Sequence, residues 1–241
     1  MTPIQKNRLI LIDLLRTLAL AGMVAFHLTY DLDALGFIAP GTATSGFFWY
    51  FARIVAGSFI FLAGVGLWLS HGGGIRWRPF LLRLAKILAA AALVTVASHF
   101  ALPGLTIFYG ILHSIAVSSL VGLLFLRLSP AAMLVLAGLV FALPWFWSHP
   151  VFDGWLIWTG LSGRVPATAD YEPLFPWFAP FLAGMACAKA LSLRGLWPRL
   201  ALPGRRWLRL LAWPGRHSLT IYLIHQPVLI AALLGLRALL L

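Results

Sequence analysis

One apolar stretch, DLLRTLALAGMVAFHLTYD over residues 13–31, carries Asp13, Arg16 and His27. An α-helix turns about 100° per residue, so with Asp13 at zero Arg16 falls near about 300° and His27 near about 320°. The stripe is roughly 60° wide, and Arg16 and His27 are about 16 Å apart along the axis. That is half the hydrocarbon thickness of a bilayer. Such groups are costly in lipid and by default mark function. For Asp13 the competing reading is a headgroup anchor. Asp31 follows His27 at i+4, where a carboxylate can hold the imidazole in one tautomer, the usual setting of a general base.

Other polar residues interrupt apolar context. Arg53 lies two turns into a second apolar run and calls for an anionic partner: Asp31, Asp170, Glu172 or a substrate. His113, in YGILHS, and His225, three residues after Tyr222 in YLIHQP, can be interhelical hydrogen-bonders or active groups. Arg16, Arg76, Arg78, Arg83 and Lys86 make a cationic rim suited to phosphate, with Arg giving forked contacts. Arg83 and Lys86 are i and i+3 and share a face. The single cysteine, Cys187, allows no disulfide within the chain and no Cys/His metal cluster, so no metal is expected.

These residues need membrane helices to position them. Of 241 residues 61% are hydrophobic and 10% charged, which describes a polytopic helical membrane protein rather than a soluble domain. The expectation is an all-α single domain over 1–241 with about seven spans: near 9–30, 47–70, 80–102, 107–126, 131–147, 173–193 and 218–240. The count becomes eight if GWLIWTGL, within 151–163, is re-entrant. Residues 1–26 mimic a signal peptide, but Asp13 and Arg16 interrupt the apolar region, so the segment reads as the first span. Between the last two spans, Arg205, Arg206 and Arg209 alternate with Trp207, Leu208, Leu210 and Leu211, as in an interfacial helix on anionic headgroups.

Net charge is +12. In a soluble protein that would suggest nucleic acid; here the positive-inside rule explains it. Lys6 and Arg8, the Arg76 loop, Arg127 and the Arg194–Arg216 segment fall on one side, read as cytoplasmic. The opposite loops hold Asp31, Asp33, Asp153, Asp170 and Glu172, with Arg164 as their base. The reading is a multi-pass inner (plasma) membrane protein with its N-terminus in the cytoplasm.

IDLLRTLALAGMVAFH resembles the first-helix signature of transmembrane acyltransferases, a basic residue and then a His eleven positions on. FIFLAGVGLWLS followed by FLLRLAKI resembles their second helix and basic pair, and SLTIYLIHQPVL their late YLIH helix. With YDL after the His, GILH, and YEPLFPWF, the chain is similar to small bacterial members of the heparan-alpha-glucosaminide N-acetyltransferase catalytic-domain family. Acyltransferase family 3 is a more distant relative. The resemblance implies transfer of an acyl group, acetyl in the first instance, from cytoplasmic acetyl-CoA or another acyl-CoA to a hydroxyl or amine. The acceptor would be extracytoplasmic, a glycan or amino sugar. It carries Arg16, Arg83 and Lys86 over to the CoA phosphates and His27 to catalysis.

Asp31 would then orient His27, and Arg53 or His113 would stabilise the oxyanion. Asp13, His225 and Tyr222 remain as further polar intramembrane groups. The partners expected are membrane lipid, acyl-CoA and the acceptor; an oligomer stays open. Two other readings stay open: a small-solute or proton-coupled transporter, whose charged stripe is the path, and a cytochrome with two of His27, His99, His113 and His225 on haem.

Overall fold

The computed structural model describes residues 9–240, so Lys6 and Arg8 lie outside the described residues. The chain is 75% helical, without strands among the described residues. The helices are α1 (Ile10–Ala34), α2 (Gly46–His71), α3 (Trp77–Ala101), α4 (Ile111–Gly122), α5 (Pro130–Phe146), α6 (Leu174–Leu193), α7 (Arg206–Leu211), α8 (Trp213–Arg216) and α9 (Ser218–Leu240). Five of them, α1, α2, α3, α6 and α9, are long and apolar enough to cross a membrane. They and α5 expose large apolar side chains such as Leu93, Val96, Val135, Leu139 and Leu234. A helix can show these to lipid because its own backbone hydrogen bonds are satisfied internally.

The expected count of about seven therefore rests on two shorter apolar helices, α4 and α5. The candidate re-entrant segment forms a short 3-10 helix, Gly154–Thr159. The helix expected over 205–211 in the basic segment is α7, and a second short piece, α8, follows it after Ala212. Pro214 sits in the first turn of α8, where its missing N–H breaks no helical bond.

The helices gather into two compact units, Met1–Phe59 with Trp197–Leu241, and Ile60–Leu196. In the first, α1 packs on α8 and α9. Gly215 lies so close that a Cβ there would sit 1.9 Å from the Asp13 carbonyl oxygen. The Thr17 hydroxyl donates to the Leu211 carbonyl at 2.9 Å and accepts from the Gly215 N–H at 3.0 Å. At its other end α1 stops where Gly36 takes φ +78° and the Phe37 N–H reaches back to the Leu32 carbonyl at 2.8 Å, a left-handed cap.

In the second unit small residues set the helix spacing, as the Gly/Ala-rich half of α2 suggests. A Cβ on Gly64 would lie 2.1 Å from the Phe181 carbonyl oxygen, and one on Gly184 at 2.1 Å from that of Phe61. Lys189, an apolar-span lysine that drew no attention in the sequence, donates to the Leu126 and Leu128 carbonyls at 3.1 and 2.8 Å. It therefore satisfies carbonyls where α4 and its 3-10 extension run out of helical partners.

Candidate active site

In the first unit, α1 and α9 bring four polar side chains together. The His27 and His225 rings meet edge to face with centroids 4.8 Å apart. One turn along α1, the Asp31 carboxylate accepts from the Gln226 amide Nε2 at 2.7 Å. Asp31 is 5% exposed and His225 9%. Each of the four residues keeps one buried atom without a hydrogen-bond partner among the described residues: His27 Nδ1, Asp31 Oδ2, His225 Nε2 and Gln226 Oε1. A buried polar atom left unpaired costs about 1–3 kcal/mol. Native structures hold few such atoms, and four in one cluster mark a place for buried water or a polar ligand.

The expected Asp31–His27 pair is corrected here. The i+4 spacing puts both on one face of α1, but the carboxylate is engaged by Gln226, 195 residues away in sequence, and His27 has His225 as its neighbour. Gln226 was missed as a site residue; the available signal was a second polar side chain beside His225 in an otherwise apolar span. Pro227 follows at once inside α9 and removes one helical N–H beside the cluster.

Towards the start of α1, Asp13 is 1% exposed and pairs with Arg16 at 3.5 Å and Arg216 at 3.3 Å. Arg16, expected on phosphate, thus faces a carboxylate of its own helix. Arg216 reaches Asp13 because Gly215 lets α8 touch α1. Arg53 is exposed; it donates to the Trp49 carbonyl at 2.9 Å and lies 3.4 Å over the Trp49 ring, a cation–π contact. Tyr222 contributes its backbone carbonyl, which receives His225 Nδ1 at 2.5 Å.

In the second unit, Arg76, Arg78, Arg83 and Lys86 crowd the first turns of α3. Arg76 and Arg78, at the first turn, oppose the helix dipole by about 0.3–1 kcal/mol each, and an anion there relieves them. Arg83 is half-buried and lines a small cavity with Leu67, Phe80, Leu84, Ile87 and Ser119, whereas Lys86, Arg76 and Arg78 are exposed. The Arg76 guanidinium donates to the Ser70 carbonyl at 3.1 Å.

His113, in the same unit, has both ring nitrogens engaged. Its Nδ1 accepts from the Gly110 N–H at 3.3 Å. The Thr95 hydroxyl gives its proton to the Ile107 carbonyl at 2.7 Å, so His113 Nε2–H donates to Thr95 Oγ1 at 3.3 Å. Beside it, Asp170 accepts the Ile111 N–H at 3.1 Å and caps α4; burial pushes its carboxyl up to about 6. Phe108, Tyr109, Trp155 and Trp158 line an aromatic cavity of about 420 Å³.

The family model described as heparan-alpha-glucosaminide N-acetyltransferase, catalytic, matches residues 8–227, a stretch that contains all the residues above. The chain belongs to that family. Membership makes it a member of a membrane N-acetyltransferase family and implies a transferase. No curated protein and no solved structure matches it. Among the described residues, no group of three or more His, Cys, Asp or Glu is arranged to hold a metal ion. The edge-to-face contact of His27 and His225 leaves no gap for a porphyrin between them, and His113 has no free nitrogen, which removes the geometric basis for pairing these rings on haem.

Proposed function

We propose that the protein is an integral membrane acyltransferase. It moves an acyl group, acetyl in the first instance, from acyl-CoA to a hydroxyl or amine of an extracytoplasmic acceptor, a glycan or amino sugar. The observation that carries this reading is the cluster of four buried, unpartnered polar atoms on α1 and α9 in a chain of this family. His27 is a catalytic imidazole on the acyl side of the transfer. Arg83 and Lys86, with Arg76 and Arg78 behind them, hold the CoA phosphates; charge-assisted contacts from an anion answer the cationic start of α3. Arg16 plays a smaller part than its position in the sequence suggests, since Asp13 already engages it.

The Lys/Arg asymmetry supports a multi-pass arrangement in an inner membrane with seven spans, α4 and α5 included, and a cytoplasmic N-terminus. Reporter fusions at Ala34 and Gly73 should then report opposite sides; agreement between them would break the topology. The activity is tested with the purified protein, acetyl-CoA labelled in the acetyl group, and glucosamine as acceptor probe. Label should pass to the probe with the wild type and not with His27→Ala. A transporter would move solute and leave acetyl-CoA intact.

A further inference from the structure

His225 Nδ1 lies 2.5 Å from the Tyr222 carbonyl. A carbonyl oxygen only accepts, so Nδ1 carries the hydrogen and the neutral ring presents a lone pair at Nε2. That Nε2 is buried and without a partner among the described residues. The same reasoning fixes its neighbours. The Asp31 carboxylate only accepts, so Gln226 turns its amide nitrogen towards it, and Gln226 Oε1 is left as an acceptor beside Asp31 Oδ2. Three of the four unpartnered atoms are therefore hydrogen-bond acceptors. The fourth, His27 Nδ1, is the one that can carry a proton.

A thioester offers only acceptors at its reacting end and satisfies none of these three atoms. A hydroxyl- or amine-bearing molecule offers donors and satisfies all of them. We infer that His225 is a catalytic residue, the general base of the transfer, and that Asp31 and Gln226 hold the acceptor molecule by its other donors. This rests on the acyltransferase reading above.

As the acceptor's oxygen or nitrogen attacks the thioester carbonyl carbon, its proton passes to His225 Nε2. The new C–O or C–N bond forms and the C–S bond breaks. The imidazolium then returns the proton to the departing thiolate, giving free thiol and a neutral ring. His27, with a hydrogen on Nδ1, is left to the acyl side, donating to the carbonyl oxygen as negative charge develops there.

The test uses the full-length protein with acetyl-CoA and glucosamine. His225→Gln keeps a polar group near the Nε2 position but is not a base, so its turnover should fall by about 10²–10⁴-fold. Its KM for acetyl-CoA and its melting temperature should stay near wild type, and its residual rate should lose the acid limb of the pH profile. A His225→Gln protein with more than a tenth of the wild-type turnover and an intact acid limb overturns the assignment and leaves the transferase reading standing. No transfer by the wild type overturns the reading itself. If His225 variants fail to fold, the residual activity of His27→Gln decides. An acid limb that persists there supports His225 as the base, and a flat profile overturns it.

Discussion

His27 and His113 are both histidines in apolar helices, and the fold treats them in opposite ways. His113 has a backbone N–H on one nitrogen and Thr95 on the other, with Asp170 bonded to Ile111 beside it. His27 and His225 press ring against ring and leave two nitrogens bare, as Asp31 and Gln226 leave two oxygens bare. A saturated network rigidifies the turn between α3 and α4, whereas an unsaturated one holds polar atoms ready for something that is not protein. Residue type alone therefore says little about role; what separates the two regions is how many of their lone pairs and protons the fold has already engaged.

The largest expected effect breaks this comparison if it fails. His27→Ala should lower acetyl transfer by about 10²–10⁴-fold with acetyl-CoA still bound and the protein folded. His113→Ala should do the reverse: turnover per folded molecule within a few-fold of wild type, and a stability loss of about 1–3 kcal/mol from the groups it leaves unpaired. Equal activity losses in both variants would erase the distinction.

Two carboxylates on α1 sharpen it. Asp13 is paired with Arg16 and Arg216, so Asp13→Ala removes a buried carboxylate from two guanidinium groups. Removing one partner of a buried pair costs roughly 3–5 kcal/mol, and the partial exposure of both arginines favours the lower end. Asp31→Asn retains an oxygen for Gln226 and should cost little stability, while slowing transfer. Thermal unfolding of the two variants in one detergent should put Asp13→Ala well below Asp31→Asn; the opposite order would mean that Asp31 is the structural member.

Asp170 gives the saturated region a pH signature. Its carboxyl is raised from 3.8 to about 6 by burial, so the folded state holds the proton more tightly than the unfolded chain. The stability it contributes is complete below its unfolded value and is lost as pH rises through about 6. The shift corresponds to about 3 kcal/mol. Unfolding followed from pH 4 to 7 should show stability falling with pH, and Asp170→Asn should flatten that fall. A fall that survives in Asp170→Asn would trace to another group.

Much of this was legible in the chain. The helix ranges follow from apolar runs and Gly/Pro punctuation, and the close contact of Gly64 with the Phe181 carbonyl follows from the small residues of FIFLAGVGLWLS. The arc joining Asp13, Arg16 and His27 came from helical periodicity. Periodicity shows which residues share a face, but not what lies opposite. Arg216 opposite Asp13 and Gln226 opposite Asp31 come from about 200 residues further on, and no local rule supplies them. The same gap let Asp31 stand as the partner of His27. It also put His113 at the oxyanion and left His225 as a further polar group, because the Thr95 hydroxyl and the Tyr222 carbonyl that separate them become neighbours only once the helices form.

The smallest effect concerns the cationic start of α3, where two residues that look alike in sequence differ in burial. Arg83 is half-buried against Leu84, Ile87 and Ser119, and Lys86 is exposed. If both hold phosphate, they should not do so equally. A partly desolvated, forked guanidinium contact is worth about 1.5–3 kcal/mol, and an exposed ammonium contact about 0.2–1 kcal/mol. Arg83→Ala should therefore weaken acetyl-CoA binding by roughly 10–100-fold, and Lys86→Ala by a few-fold at most. Raising salt should weaken wild-type binding and narrow the gap to Lys86→Ala first, because exposed charges are screened more than buried ones. Titration calorimetry at two ionic strengths measures both. Equal losses would mean that the two bases act as a diffuse headgroup-like field, and no loss in the double variant would move the phosphate site away from α3.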